Sequence, residues 1–337
     1  MICRSCKCNK LYEVVDLGHT PPSNNFLNKD DLKNKEVFYP LKTFVCSNCW
    51  LVQTLDVINE KSLFNSEYPY LSSYSDTFLS HVNNYTRDII NRFNLSNSNS
   101  LLEIASNDGY LQDKFAEFGL NLLGIEPTSL AANISKSKGH RVLKKFFGLN
   151  FSKDLVKKKG KFDLIIANNV LAHVPDINDF ILGLKSCLSP NGVITIENPS
   201  IVNLIEKNQF DTIYHEHFSY LSLTSVEYMT RKNMLEIFDV EECQIHGGSI
   251  RYFLQHIKTG QNKISKKVKK LKDLECSKGI KNIKTYKKFS EKCRKIKVDF
   301  LKFSFLQVSK GKKIAAYGAA AKGNTFLNYC GLKKDII

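Results

Sequence analysis

The sequence of 337 residues lacks the long apolar runs that a membrane protein needs. A membrane-spanning helix requires about 20 consecutive apolar residues, and no stretch of this chain approaches that length. A secretory signal also requires an apolar core, yet Met1-Ile2-Cys3-Arg4 runs directly into cysteines. We therefore expect a cytoplasmic protein that makes no membrane contact. Its hydrophobic content of 42% is ordinary for a globular protein, and its length allows two or three modules.

Acidic residues are scarce in one late segment, which carries the whole charge excess of the chain. Between Lys258 and Lys313 there are 20 basic residues and 4 acidic ones, whereas the rest of the chain holds 29 of each sign. Apolar residues recur there at helical spacing from Ile264 to Leu306, with a break near Gly279. This pattern predicts amphipathic helices whose lysines face water. Because the remainder is neutral, a broad basic groove is not expected, and nucleic acid is not expected as a partner.

Glycine is sparse in the loop of the chain's nucleotide-binding unit, which spans residues 101–127. An apolar strand, a polar loop, a helix and a second strand follow one another there. Ala105, Asn107 and Gly109 stand where a dinucleotide site requires three glycines, so a pyrophosphate lacks a close-approach backbone and NAD is disfavoured. Glu126 ends the second strand, about 20 residues beyond the loop, where Rossmann-type sheets place a ribose-binding carboxylate. The pattern resembles motif I of S-adenosylmethionine-dependent methyltransferases.

Later strands also end in polar residues, which favours a ligand site at that edge of a Rossmann-like sheet. One strand ends at Asn168-Asn169 and another at Asn198-Pro199, and His173 follows the first of them. Open α/β sheets bind ligands at the carboxyl ends of their strands. The candidate cofactor-binding residues are therefore Glu103, Ala105, Asn107, Asp108, Gly109, Glu126, Pro127, Asn168 and Asn169.

Four of the ten cysteines form two C-x2-C pairs, Cys3 with Cys6 and Cys46 with Cys49. Each pair can place two thiolates on one side of a turn, as tetrahedral zinc requires. Four protein ligands leave no open position, so a bound zinc ion would be structural. Cys8 is a spare that could replace Cys6, and reduced cysteines without metal remain the alternative.

The segment Tyr214-His215-Glu216-His217 has two possible readings, a metal site and an acid–base site. On a strand, His215 and His217 share one face and Glu216 points to the other, so the three cannot easily converge on a metal. A histidine that exchanges a proton near neutral pH, with a carboxylate or hydroxyl nearby, fits acid–base catalysis instead. Tyrosine is a suitable hydrogen-bond donor to a developing oxyanion.

Taken together, the motifs resemble those of the nucleotide-sugar C-methyltransferases. The resemblance includes the paired C-x2-C, Y-P-Y-L-S-S-Y-S from Tyr68, E-I-A-S-N-D-G, G-I-E-P, N-N-V-L-A-H-V-P-D, Y-H-E-H-F-S-Y-L-S, H-G-G-S-I-R and Y-G-A-A-A-K-G-N-T. These motifs follow the family's order over nearly the whole chain. The family implies a zinc-binding module, an S-adenosylmethionine-binding class I methyltransferase module and a C-terminal Rossmann-like module that holds a nucleotide-diphosphate sugar. The oligomeric state is open.

The resemblance implies a division of this chain into four parts. These are a zinc-binding module over 1–65, the methyltransferase domain over 66–256, a basic helical segment over 257–310, and the start of a C-terminal domain over 311–337. The last part is expected to begin with a strand at Lys312–Tyr317. Because only fourteen residues follow Gly323, we expect this domain to be truncated and to pack poorly, since a lone strand and helix cannot bury their apolar faces.

The resemblance also implies a mechanism on a 4-keto deoxysugar. His217 would remove the proton beside the ketone, Tyr214 with Asn169 or His173 would bind the enolate oxygen, and Glu216 would orient the base or the sugar. Tyr68 or Tyr70 would close the pocket. The predicted substrate ligands are Tyr220, Arg251, Lys322 and Asn324, of which Lys322 lies in a small-residue turn that could hold a phosphate.

Two other functions remain possible at this point. An RNA methyltransferase could use the zinc module and the basic segment as RNA-binding surfaces. Its affinity for RNA would then depend steeply on salt. A non-catalytic protein of the same fold would bind S-adenosylmethionine without turning over any keto sugar.

Overall fold

The computed structural model describes residues 1–66, 68–318 and 320–337. Its strands belong to two sheets. In chain order they are β1 (Leu11–Thr20), β2 (Tyr39–Cys46), β3 (Val52–Thr54), β4 (Leu101–Ile104), β5 (Leu122–Ile125), β6 (Val142–Leu143), β7 (Phe162–Asn168), β8 (Leu188–Pro199), β9 (Ser219–Tyr220), β10 (Leu235–Cys243) and β11 (Ser249–His256).

Helices cover both faces of the larger sheet, and the last three described helices follow its final strand in the chain. They are α1 (Glu60–Leu63), α2 (Asp76–Phe93), α3 (Tyr110–Ala116), α4 (Ser129–Ser137), α5 (Leu149–Lys159), α6 (Ile177–Cys187), α7 (Ile201–Glu206), α8 (Leu223–Lys232), α9 (Lys266–Ser277), α10 (Ile283–Ser309) and α11 (Ala321–Cys330). Short 3-10 turns occupy Asp31–Lys33, Ser72–Tyr74, Leu171–His173 and Phe210–Thr212.

The larger sheet has seven strands in the order β10-β11-β8-β7-β4-β5-β6. The strands from β4 to β8 pair in parallel, whereas β11 runs antiparallel to both β8 and β10. The chain builds outward from β4 to β6 and then returns to β7 on the other side of β4. Such a reversal opens a crevice at the carboxyl ends of β4 and β7. The predicted Rossmann-like class I methyltransferase sheet is confirmed.

The strands of this sheet are apolar because helices cover both of their faces. All four residues of β4 are buried, and so are Leu164 to Ala167 of β7. One face packs on Phe78, Tyr85 and Phe115 of α2 and α3, whereas the other packs on helices that include α6 and α8. Burial of each such large apolar side chain contributes about 1.5–3 kcal/mol. The core therefore holds the polar strand ends in fixed positions.

The smaller sheet joins the cysteine module to the methyltransferase domain. Its order is β1-β2-β3-β9, and Val52 and Gln53 of β3 pair with Tyr220 and Ser219 of β9. The last strand therefore comes from the Tyr-His-Glu-His segment, far along the chain. Thr54 continues the contact, since its hydroxyl donates to the carbonyl of His217 at 3.1 Å. The cysteine module thus contacts the segment that carries His217, the predicted base.

The basic segment forms α9 and α10, separated at Gly279 as the periodicity predicts. Tyr286, Phe289 and Cys293 of α10 are buried in one cluster with Val15 and Leu17 of β1. Most lysines of these helices are exposed. In the described ranges, no helix combines the length and the apolar character needed to span a bilayer.

The predicted strand at Lys312–Tyr317 is wrong, because those residues are irregular and Tyr317 is fully exposed. A strand requires a neighbour to accept its hydrogen bonds, and in the described chain this segment pairs with none. Ala319, in the middle of the predicted phosphate turn, lies outside the described residues. The helix that follows packs better than expected, since the Thr325 hydroxyl is buried and donates to the Ile213 carbonyl at 2.8 Å.

Candidate active site

A cavity of about 590 Å³ lies at the carboxyl edge of the larger sheet. Its volume is within the range of small-molecule sites. The methyltransferase sheet, the cysteine module and the start of α11 all contribute to its wall. The predicted residues that line it are Tyr68, Tyr70, Ala105, Asn107, Glu126, Pro127, Asn168, Asn169, His173, Tyr214, Glu216, His217, Tyr220 and Lys322.

The β4–α3 loop forms one side of this cavity in a conformation that ordinary residues rarely adopt. Ala105, Asn107 and Gly109 all have positive φ, at 57°, 48° and 82°. At Gly109 a Cβ atom would lie 2.6 Å from the Ser135 hydroxyl, so glycine is required there. Strain of this kind persists where surrounding structure maintains it, and it concentrates at ligand sites.

Glu126 faces this loop from the end of β5. Its carboxylate accepts the Asn107 backbone N–H at 2.9 Å and both the N–H and the hydroxyl of Thr128, at 2.8 and 2.6 Å. Burial raises the pKa of Glu126, and these hydrogen bonds oppose that rise. The carboxylate is thus fixed beside the loop, where it can accept hydroxyl groups of a ribose.

Three predicted cofactor ligands lie outside the cavity lining, namely Glu103, Asp108 and Gly109. Glu103 is within β4, and burial raises its pKa strongly, with Glu126 and Asp108 adding to the rise. Within the described chain, Glu103 Oε2 and Asp108 Oδ1 are buried without a hydrogen-bond partner. These acids therefore lie behind the wall rather than on it. The predicted cofactor residues that do line the cavity are Ala105, Asn107, Glu126, Pro127, Asn168 and Asn169.

The Asn107 side chain also has a role that the sequence did not suggest. Its Oδ1 accepts the Ser72 N–H at 2.9 Å, and its Nδ2 donates to the Tyr70 carbonyl at 3.2 Å. The amide thereby ties the tyrosine-rich segment of residues 68–74 to the β4–α3 loop. Tyr70 remains 47% exposed at the cavity rim.

His217 lies on the opposite side, among aromatic rings. Its Nδ1 donates to the Thr212 carbonyl at 3.0 Å, which leaves Nε2 without a hydrogen-bond partner in the described part of the chain. The Tyr214 ring lies 4.1 Å away and the His173 ring 4.7 Å away, centroid to centroid. Burial, and next the neighbouring His173, lower the pKa of His217 well below its usual value. The imidazole is therefore neutral near pH 7 and can accept a proton.

His173 is held in the same way from the end of β7. Its Nδ1 donates to the Glu216 carbonyl at 2.9 Å, and burial lowers its pKa to about 4. The ring packs edge-on against Phe64 at 5.6 Å. Both histidines are thus fixed in one tautomer by a backbone carbonyl.

The Glu216 side chain is buried and is held by donors from the N-terminal part of the chain. The Tyr68 hydroxyl donates to Oε2 at 2.9 Å, and the Asn24 Nδ2 lies 2.7 and 2.9 Å from the two oxygens. Burial raises the pKa of Glu216, and both hydrogen bonds act against the rise. Burial and next the Glu216 charge raise the pKa of Tyr214 and of Tyr68, so both phenols stay protonated.

The other predicted residues of this segment differ in position. The Tyr220 hydroxyl is buried and has no hydrogen-bond partner among the described residues, so it is available to a ligand. His215 is buried instead beside the Tyr39 ring, at 6.0 Å. The strand expected for residues 214–217 is wrong, because His215 and Glu216 lie in a turn and the strand begins only at Ser219. His215, Glu216 and His217 are not among the groups of the described chain that could jointly hold a metal.

Two predicted substrate ligands, Arg251 and Asn324, are not on the cavity wall. Arg251 Nη2 contacts Glu197 Oε2 at 2.6 Å, and its Nη1 contacts Glu241 at 3.0 Å. Glu197 is buried on the adjacent strand and needs a counter-charge, which explains why Arg251 is engaged there. Asn324 contacts the N-terminal loop, whereas Ala320, Ala321 and Lys322 of the predicted phosphate turn line the cavity.

Several cavity residues were not predicted from the sequence, among them Asn24, Phe64, Phe146 and His246. They come from four separate parts of the chain. Asn24 and Phe64 carry no signal of a site, whereas His246 opens the H-G-G-S-I-R motif. Phe146 had a usable signal, since it belongs to the loop that follows β6 at the ligand-binding edge.

The four paired cysteines converge into one cluster, with their sulfur atoms within 4.8 Å of one another. Cys3 and Cys49 are 3.4 Å apart at sulfur, and Cys6 and Cys46 are 3.5 Å apart. Zinc–sulfur bonds of about 2.3 Å in a tetrahedron need only slightly larger separations, so the four thiolates fit structural zinc. Cys8 is outside this cluster.

Three family models match this chain: a zinc binding domain over residues 3–64, a methyltransferase domain over 78–238, and a C-methyltransferase C-terminal domain over 244–337. C-methyltransferase NovU of Streptomyces niveus is 31% identical over 330 residues, which cover 98% of this chain and 78% of NovU. The chain belongs to the C-methyltransferase family. As a C-methyltransferase it uses S-adenosylmethionine, and its cysteine cluster is the zinc site.

Other relatives of this C-methyltransferase match a smaller part of it. A ubiquinone biosynthesis O-methyltransferase of Rhodopseudomonas palustris (strain TIE-1) is 26% identical over 99 residues, which cover 28% of this chain and 38% of the relative. The solved structure of magnesium protoporphyrin IX methyltransferase from Synechocystis PCC 6803 is 12% identical, with a TM-score of 0.45. It covers 60% of this chain and 99% of its own.

Proposed function

We propose that this C-methyltransferase methylates the carbon beside the ketone of a nucleotide-linked 4-keto deoxysugar, through an enolate. One observation carries the proposal: a single cavity holds the cofactor-side residues Ala105, Asn107 and Glu126 together with His217 and Tyr214. A methyl donor and a carbon acid can therefore meet in one enclosed space. Alignment of two bound reactants is a large part of such catalysis.

A carbon acid beside a ketone is too weak to ionise without a base and a stabilised oxyanion. His217 is placed to act as the base, because its Nδ1 proton is fixed on the Thr212 carbonyl and its Nε2 lone pair is free. Its lowered pKa keeps it uncharged at neutral pH. Removal of the proton then produces an imidazolium, which pairs with the enolate formed beside it.

The enolate oxygen requires hydrogen-bond donors that keep their own protons. Tyr214 fits this role, because burial and the Glu216 charge raise the pKa of its phenol. Asn169 lines the same cavity, and its side-chain amide can supply a second donor. His173, which the sequence suggested for this role, is neutral and already donates its one N–H to the Glu216 carbonyl. Tyr68 holds Glu216 and, with Tyr70, covers the rim, so that water is kept from the carbanion.

S-adenosylmethionine supplies the electrophilic methyl group when it is bound. The residues that would hold it are Asn107 and Glu126, with Ala105 on the same cavity wall. The fit rests on the positive-φ loop and on the partnerless oxygens of Glu103 and Asp108.

The nucleotide part of the substrate is assigned to the wall near α11. Ala320, Ala321 and Lys322 line the cavity there, at the N-terminus of a ten-residue helix. Helix N-termini favour anions, and the Lys322 ammonium adds a full charge for a diphosphate. Burial lowers the pKa of His217 and of His246, and the Lys322 charge adds to the fall. Burial raises the pKa of Asp211, and the Lys322 charge opposes that rise.

The test is turnover on a panel of nucleotide-linked 4-keto deoxysugars with labelled S-adenosylmethionine. We expect label transfer and a mass gain of one CH₂ group in at least one sugar, with label on the carbon beside the ketone. His217→Ala should reduce the rate by about 10²–10⁴-fold. Label on oxygen, or undiminished turnover by the variant, would contradict the proposal.

A further inference from the structure

The clearest feature that the mechanism leaves unexplained is a contact between two residues 192 positions apart. The Asn24 amide nitrogen lies 2.7 Å from Glu216 Oε1 and 2.9 Å from Oε2, so it covers both oxygens. Tyr68 completes the arrangement with a 2.9 Å hydrogen bond to Oε2. Asn24 comes from the loop between the cysteine pairs, and both Asn24 and Glu216 line the cavity.

The loop that carries Asn24 is itself held in place. The Asn25 N–H donates to the Pro22 carbonyl at 3.3 Å, which closes a turn around Asn24. Asn324 of α11 donates to the Pro21 carbonyl at 3.3 Å and to the Ser23 hydroxyl at 3.2 Å. Pro21 and Ser23 are buried, in contrast to the exposed residues that follow Asn24. The amide is therefore presented to Glu216 from a fixed position.

We propose that Asn24 is a positioning residue of the active site, which holds the Glu216 side chain in its carboxylate form against Tyr68. An amide NH₂ can only donate. It therefore favours the ionised carboxyl group, which accepts on both oxygens through stronger charge-assisted bonds, over the protonated group, which accepts less strongly. Glu216 is only 3% exposed, and burial alone favours its neutral form. Asn24 and Tyr68 oppose that preference.

The charge on Glu216 matters to the groups around it. The titratable residues that line the cavity together with Glu216 include Tyr68 and Tyr70 from the N-terminal side, Tyr214 and His217 from its own segment, His173 after β7, His246 before β11, and Lys322 of α11. Burial raises the pKa of the Tyr68 and Tyr214 phenols most, and an anionic Glu216 adds to the rise, so that both phenols stay protonated. They then remain donors, as the enolate oxygen requires. This role in turnover rests on the proposed function, whereas the effect on Glu216 does not.

The test measures the ionisation of Glu216 without any substrate. The full-length zinc-loaded protein is labelled with glutamate carrying ¹³C at its side-chain carboxyl group, and Glu216→Gln identifies the Glu216 signal. We expect Asn24→Ala to raise the midpoint of its titration by about one pH unit, since a hydrogen bond to a charged group is lost. The isosteric Asn24→Asp should raise it further, because two carboxyl groups then share one site. The exposed neighbour Asn25→Ala is the matched control and should leave the midpoint unchanged.

Retained zinc content and S-adenosylmethionine affinity show that each variant is folded. An unchanged Glu216 midpoint in both Asn24 variants would overturn the inference, even in an enzyme that methylates keto sugars. A raised Glu216 midpoint in an enzyme that methylates no sugar of the panel would contradict the proposed function and would still support the inference about Asn24. With an accepted sugar, the acidic limb of the kcat/KM profile should move upward with the midpoint. In the Glu216→Gln background, Asn24→Ala should produce no such displacement.

Discussion

The two sides of the cavity are built in different ways. The cofactor side comes from one continuous stretch, residues 101–127, in which strand, loop, helix and strand place Ala105, Asn107 and Glu126 together. The substrate side combines Asn24, Tyr68, His173 and the segment 214–217, which are up to 193 positions apart. A local pattern can form the first side by itself. The second exists only when distant modules are packed together, so the two sides should respond differently to the same perturbation.

Removal of zinc should produce the largest difference between the two sides. Structural zinc contributes about 10–16 kcal/mol in zinc-finger peptides, and β3, which pairs with β9, follows the second cysteine pair directly. We expect chelation, or Cys46→Ser, to abolish methylation while the affinity for S-adenosylmethionine changes by less than about tenfold. Calorimetric titration with the cofactor, set beside turnover, measures both. Cys276→Ser, an exposed cysteine outside the cluster, is the control. Equal loss of both functions would show that the two sides are a single unit.

Glu126→Gln should affect the cofactor side selectively. The change removes the negative charge that accepts the Asn107 and Thr128 donors and that is assigned to the ribose. Hydrogen bonds to a charged group contribute about 1.5–3 kcal/mol, so cofactor affinity should fall by roughly 10–100-fold. The KM for the sugar should change little. Glu117→Gln, on the exposed end of α3, should leave both constants as they are. A higher KM for the sugar with an unchanged cofactor affinity would contradict the assignment of Glu126 to the ribose of the cofactor.

Acidification should destabilise the substrate side through His173. Its pKa of about 4 in the folded protein lies below the usual 6.5. Between these two pH values His173 therefore binds a proton in the unfolded chain but not in the folded protein. The stability contributed by the neutral ring is present above about pH 6.5 and is lost as the pH falls toward about 4. Between about pH 7 and 5 we expect a loss of about 2 kcal/mol. Urea unfolding of wild type and His173→Gln measures it, and the variant should show a correspondingly smaller loss.

The cofactor side should show the opposite pH dependence. Burial raises the pKa of Glu103, so its folded form prefers the proton and its contribution to stability improves as the pH falls through the raised value. Glu103→Gln should therefore increase the free energy of unfolding at neutral pH. A variant that is less stable than wild type at neutral pH would show that the charge of Glu103 is needed.

Asn324→Ala should have the smallest effect. It removes the hydrogen bonds to Pro21 and Ser23 and thereby loosens the loop that presents Asn24. We expect a few-fold decrease in kcat and faster tryptic cleavage at Lys29, Lys33 or Lys35, with unchanged cofactor affinity. Lys334→Ala, at an exposed residue after α11, is the comparison. Equal cleavage of the two variants would remove α11 as a support of this loop.

The sequence predicted the parts of the site that depend on local patterns. The strand end at Asn168 is correct, and β5 ends at Ile125, one residue before the predicted Glu126. Apolar runs that helices bury have recognisable lengths and polar ends. The two C-x2-C pairs predicted the thiol cluster, because tetrahedral zinc takes four ligands and each pair supplies two thiolates.

What the sequence did not predict depends on contacts between distant segments. Nothing near Asn24 indicates that its amide meets Glu216, and nothing near Arg251 shows that the buried Glu197 holds it. The strand expected at Lys312–Tyr317 has apolar residues, yet β structure also requires a partner edge. Asn324 belongs to a motif with an expected role in phosphate binding, but its side chain contacts the N-terminal loop.

The central claim is that His217 removes a proton from the carbon beside a ketone, in the cavity that also holds the cofactor. Its most direct test is deuterium exchange at that carbon, in D₂O, with a nucleotide-linked 4-keto deoxysugar and the demethylated cofactor product, so that no methyl transfer can occur. The account predicts exchange by the wild type and its loss in His217→Ala, with cofactor affinity retained. Exchange that survives in His217→Ala would contradict it.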